Sequence, residues 1–156
     1  MNPDKYKQEV SFELKNIDRL ATEVISLAKI IGDTNPDTVQ ISAMSTFIAQ
    51  FYSGIENIMK RTTKFNNIPL PSTVEWHSEL FKRFCNPPYE TLPVLFDNDI
   101  TSKLTIIRKA RHYFIHGYSF NIDWEILKPT ADSIEFVYAR IKTKVLSYLE
   151  SISEGN

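Results

Sequence analysis

Arg108-Lys109-Ala110-Arg111-His112-Tyr113-Phe114-Ile115-His116-Gly117-Tyr118 is the stretch on which the chain turns. It sets guanidiniums and imidazoles among aromatic rings, and it reads as helix. With Arg108 at zero on a helical wheel, Arg111 falls near about 300°, His112 near about 40° and His116 near about 80°. These four share an arc of about 140°. Tyr113, Ile106, Ala110, Phe114 and Ile107 lie from about 140° to about 260°. The expectation is a divided helix, with apolar residues toward a core and the four polar ones toward something else. Leu104 at about 320° and Ile115 at about 340° intrude on the polar arc, which suggests a protein contact there. Gly117 reads as a helix stop, so His116 sits in the last turn.

Arginine is a permanent cation whose planar fork suits phosphate. Histidine alone titrates near neutral pH and gives or takes a proton. Together they suit in-line attack on an RNA phosphodiester: the ribose 2′-OH is deprotonated, the 5′ oxygen protonated, and the phosphorane charge held by arginine. That route needs no metal and no cofactor. The plain alternative is a solvated helix end.

Upstream, Asn2 and Pro3 start a first helix, which buries Val10, Leu14, Ile17, Val24 and Leu27 and stops at Gly32. Asn35-Pro36 repeats the start signal. The second helix carries Ile41, Met44, Ile48, Phe51, Ile55 and Ile58 on one stripe. Met44 and Met59 read as packing, and Gly54 permits a close helix contact. Glu56 lies at the stripe's edge. It reads as solvent-exposed, the alternative being that it faces the motif helix and orients a histidine. The basic turn Lys60-Arg61-Thr62-Thr63-Lys64 suits the helix dipole and is placed to touch an RNA backbone. Ser72 caps a short third helix to about Cys85, with Trp76, Leu80, Phe81 and Phe84 inward. His77 has no partner at metal-ligand spacing and reads as a surface or satisfied histidine.

The stretch from Asn86 to Pro93 is a proline-rich loop. Asp97 to Asp99 cap the motif helix, about Ile100 to His116. Asp123 caps a last helix that Pro129 kinks or restarts, with Ile134, Tyr138, Ile141, Val145, Tyr148 and Ile152 closing the bundle. Ser153-Glu154-Gly155-Asn156 reads as a frayed tail. The expected architecture is all-α: one domain, residues 1–156, an up-and-down bundle of four long helices and one short helix.

Composition narrows the class. The 156 residues include 4 glycines, which disfavours glycine-rich phosphate loops, and the net charge of −1 gives no global basic field. The stretch from Ile100 to Ile122 holds Lys103, Arg108, Lys109 and Arg111 and no acidic residue, a local anion site on a near-neutral body. The single cysteine, Cys85, reads as a small buried hydrophobe and agrees with a reducing compartment. No leader pattern or membrane span is read in the sequence, so the expected location is cytoplasmic, with no membrane partner.

Arg111-x4-His116 resembles the Arg-x4–6-His signature of HEPN domains, with His112 in the polar position after the arginine. Arg111-x4-His116-x-Tyr118 is similar to the longer motif of HepT-like toxins, as are Asn121-Ile122-Asp123 and the aromatic flank. The resemblance implies a HEPN-like bundle acting as a metal-independent endoribonuclease, with Arg111 and His116 catalytic and His112 and Arg108 binding substrate. It also implies a homodimer with the two motifs facing across a cleft, and a nucleotidyltransferase antitoxin as partner. Tyr118 would then accept transferred adenylate, whose phosphate would neutralise the cationic arc. Two other readings stand beside it. One is a non-catalytic HEPN-like module docking a nucleotidyltransferase or a nucleotide; the other is a purely structural helical dimer.

Overall fold

A computed structural model describes residues 2–154, with side chains described to Ile152. Within it lie five α-helices: α1 (Pro3–Ile31), α2 (Thr38–Phe65), α3 (Trp76–Arg83), α4 (Asn98–His116) and α5 (Trp124–Glu154). One 3-10 turn, Ser119–Asn121, joins α4 to α5. The described residues form an all-α helical bundle, with a single isolated bridge, Cys85 to Phe96, and no strand.

Helix α1 begins as its sequence dictates. Asn2 Oδ1 accepts from the backbone of Asp4 (2.8 Å) and Lys5 (3.1 Å), and Pro3 needs no partner for a missing N–H. It ends at Gly32, whose φ of 53° is strained for any residue with a Cβ. Helix α2 starts later than Asn35-Pro36 implied. Its cap is Asp37, which accepts from Gln40 N at 2.8 Å while Gln40 Oε1 accepts from Asp37 N at 3.0 Å.

Helix α2 touches all four other helices and is the hub of the bundle. Met44, Ile48, Phe51, Ile55, Ile58 and Met59 on it are buried, each contributing about 1.5–3 kcal/mol through the apolar area it withdraws from water. Gly54 lets α1 close in: a Cβ there would stand 2.6 Å from Ile17 Cγ1. At the far end of this seam the Tyr6 ring stacks on Phe65 with centroids 4.3 Å apart, and its hydroxyl meets Thr62 Oγ1 at 2.7 Å. Burial pushes the Tyr6 phenol well above its ordinary pKa, so it stays neutral there.

Other expectations about the course of the chain change as well. Ser72 does not cap α3, which starts at Trp76 after Glu75 with no side-chain cap. The chain from Asn86 to Phe96 doubles back, with Leu95 N and Phe96 N both donating to Phe84 O, and buries Leu92, Leu95 and Phe96. Helix α5, capped by Asp123 Oδ1 on Glu125 N, runs through Pro129 without restarting. Pro129 lies beyond the first turn and removes the N–H bond that would run back to the Glu125 carbonyl, and the helix carries on past that gap. The helix continues through Glu154, two residues into the stretch read as a frayed tail; Gly155 and Asn156 lie outside the described residues.

Candidate functional site

Helix α4 turns a different face to the core than the wheel suggested. Ile100, Leu104, Ile107 and Phe114 are buried, whereas Ile106 and Tyr113 are 58% and 42% exposed. The core-facing arc therefore runs from about 240° to about 320°. Arg111, near about 300°, lies inside that arc, and His112 and His116 lie outside it. The physical reason is that α2 supplies Glu56 and the Tyr52 ring opposite Arg111, so a guanidinium read as part of the polar arc fits within the core-facing one. Leu104 is used within the bundle and is not a partner contact; Ile115 stays 54% exposed.

A cleft of about 770 Å³ opens between α4 and the start of α3. Arg108, Lys109, Arg111, His112, Ile115 and His116 form one wall, and Val74, Glu75, His77 and Ser78 the other. The chain has 3 histidines, and all of them line this cleft. His112 and His116, one turn apart, have ring centroids 4.5 Å apart. Both are exposed.

Beneath the cleft sits Glu56, 4% exposed. Its Oε2 accepts from His77 Nδ1 at 2.7 Å and from Arg111 NH1 at 3.4 Å, and its Oε1 lies 3.7 Å from Lys60 Nζ. A buried carboxylate survives only when paired, and here it is shared among three cationic or titratable groups from three helices. The expectation that Glu56 faces solvent is corrected. It faces α4, and the histidine it holds is His77, not one from the motif.

The two arginines differ. Arg111 has one long contact to Glu56, its guanidinium 5.7 Å from the Tyr52 ring centroid, and its Nε without a partner. Burial, with Glu56 adding to it, pushes the Tyr52 phenol well above its ordinary pKa, so no phenolate neutralises Arg111. Arg108 makes no ion pair among the described residues; its guanidinium lies 5.4 Å from the Phe81 ring centroid and its Nε too is unpartnered. Both Nε atoms are buried, as is the unpartnered Nε of Arg61, so what the cleft offers an anion is the set of cationic side chains that line it, Arg108, Lys109 and Arg111.

Other predicted residues fall outside this geometry. Tyr118 follows Gly117, is 71% exposed and stacks on Phe120 with centroids 5.5 Å apart; neither ring lines the cleft. Gly117 stops α4 with an extended backbone, its N–H still donating to Tyr113 O at 3.0 Å. Arg61 is taken up by Glu9 and Glu13, so the basic turn of α2 offers less to an RNA backbone than its composition implies. Cys85 is half-buried and its thiol pKa is raised by burial, which keeps it protonated at neutral pH. Among the described residues no three His, Cys, Asp or Glu side chains converge as a metal site. No helix is long and apolar enough to cross a membrane.

The described residues thus form an all-α bundle in which an Arg–His helix walls an open cleft, the arrangement that the HEPN resemblance implies. A family model described as HepT-like protein matches residues 43–152. The chain belongs to this family, a HepT-like protein of the HEPN superfamily. The match spans most of α2 and all of α3 and α4, hence every element that builds the cleft. No curated protein and no solved structure matches the chain.

Proposed function

We propose that the protein is a metal-independent endoribonuclease of HEPN type, the toxin of a pair whose antitoxin is a nucleotidyltransferase. The observation that carries the reading is the gathering of every histidine with Arg108, Lys109 and Arg111 on one cleft over the buried carboxylate of Glu56. Arg111, braced by Glu56, holds the scissile phosphate and meets the charge of the phosphorane. His116 transfers a proton to or from the ribose oxygens. His112, one turn away, and Arg108, in no ion pair among the described residues, bind the neighbouring backbone. In a homodimer across α4, with exposed Ile115 at the seam, two such sets would face each other.

The reading is tested by incubating the full chain with RNA in EDTA. Fragments ending in a 2′,3′-cyclic phosphate are expected from wild type and not from His116→Ala. Identical RNA profiles for the two proteins would end the proposal.

Regulation is proposed at Tyr118. Its exposure makes the hydroxyl accessible to a partner enzyme, and added AMP would bring negative charge close to His116. Mixing with the partner nucleotidyltransferase and ATP should add one AMP mass to wild type and none to Tyr118→Phe. A gain that persists in Tyr118→Phe contradicts it.

A further inference from the structure

We propose that His77 is the general acid of the cleavage, and that Glu56 positions it. The assignment rests on the ribonuclease reading above and adds a second proton-transfer group to it. Cleavage needs two such groups at opposite oxygens of the phosphorus, a base for the 2′-OH and an acid for O5′. His112 and His116 stand side by side on one wall, with rings 4.5 Å apart. His77 stands on the facing wall of the same cleft.

Its hydrogen bonding fits the acid's task. An ionised carboxylate only accepts, so the 2.7 Å contact puts a proton on His77 Nδ1 and leaves Nε2 as the working nitrogen. The ring is clamped against Trp76, centroids 3.5 Å apart, while the side chain keeps 43% of its surface open to the cleft and solvent. Glu56 is buried and pinned by Arg111 and Lys60, so it cannot swing away. The acid's form is the ring protonated on both nitrogens, with Nδ1–H held by Glu56 and Nε2–H left free to be given to the leaving oxygen.

The step balances. The His116 ring takes the proton of the 2′-OH, and the 2′ oxygen forms its bond to phosphorus. The bond from phosphorus to O5′ breaks, and O5′ leaves carrying the Nε2 proton of His77. Proton exchange with water then resets both rings.

A leaving group that needs no proton separates the roles. The probes are an RNA dinucleotide with its ordinary O5′ and the same dinucleotide with sulfur in place of O5′. His77→Ala should cut the ordinary substrate at least about 100-fold more slowly while cutting the sulfur substrate within about tenfold of wild type. His116→Ala should fail on both. His77→Gln keeps a donor for Glu56 and should show the same leaving-group dependence, which covers any loss of fold in the alanine variant. Glu56→Gln should slow the ordinary substrate at least about tenfold more than the sulfur substrate, because any loosening of Arg111 slows both alike. Equal impairment of the His77 variants on both substrates, or on neither, overturns the assignment, and equal slowing of both substrates, or of neither, in Glu56→Gln overturns the part given to Glu56. Silence of wild type on both substrates removes the ribonuclease reading and this assignment together. Wild-type cutting matched by the His77 variants removes this assignment alone.

Discussion

Arg61 and Arg111 each cross a helix seam to reach a glutamate, and they keep opposite electrostatic company. Arg61 has two carboxylates for one cation, Glu9 at 2.8 Å and Glu13 at 3.1 Å, in the packed seam of α1 and α2. Arg111 has one carboxylate, and it shares Glu56 with His77 and Lys60 while Arg108 goes without. The first cluster is closed: its charge is answered within the protein, and its work is to hold two helices in register. The second carries a surplus of positive charge at the floor and wall of an open cleft, and only an arriving anion answers it. Arginine count alone does not separate architecture from site. The ratio of cations to carboxylates, together with the open volume above them, does.

The largest effect expected from this contrast is on turnover. Arg111→Ala should slow RNA cleavage by about 100- to 1,000-fold, about 3–4 kcal/mol of transition-state stabilisation, with the fold retained by circular dichroism. Arg61→Ala should do the reverse. It leaves Glu13, which is 6% exposed, with only the 3.5 Å bond from Asn57 Nδ2, and should cost about 2–3 kcal/mol in urea denaturation while cleavage per folded molecule is unchanged. If the two variants swapped phenotypes, the contrast would be wrong. Arg111→Lys sharpens it: the charge stays and the fork is lost, so cleavage should fall only about tenfold.

The smallest effect is expected where α5 ties down the start of α4. Arg140 donates to Asp97 at 2.9 Å and to Asp99 at 3.0 Å, and that bond to Arg140 holds the Asp97 carboxyl below its usual pKa. A depressed carboxylate stabilises the fold above its unfolded pKa and loses that contribution as pH falls through the folded value. Wild type should therefore exceed Arg140→Ala in thermal stability near neutral pH by a small margin. The margin should vanish in acid below the ordinary aspartate range of about 4. A gap that persists there would assign it to packing rather than to the ion pair.

Most of the helices were legible because local chemistry marks them. Asn2-Pro3, Gly32, Asp97, Gly117 and Asp123 all sit at helix ends as caps or stops. The face of α4 was not legible. A wheel sorts residues by polarity, and Arg111 belongs to the buried arc because α2 holds a carboxylate there, 55 positions upstream. His77 was read as a satisfied or surface residue for the same reason: its partner lies on another helix, 21 positions away. One local hint existed, since Glu56 falls near the apolar stripe of α2, and a carboxylate there needs a cation. The motif positions Arg111, His112 and His116 were readable as a group, but the second wall of the cleft came only with the fold.

The central claim is that the cleft on α4 takes an RNA phosphate, and the histidine rings report on it directly because the chain has no others. The measurement is the proton NMR spectrum of those rings during titration with an RNA bearing a 2′-deoxy at the scissile position, which binds and cannot be cut. The account predicts that all three ring signals, from His77, His112 and His116, move together and saturate at one RNA concentration. Ring signals that stay in place while the RNA binds elsewhere would contradict it.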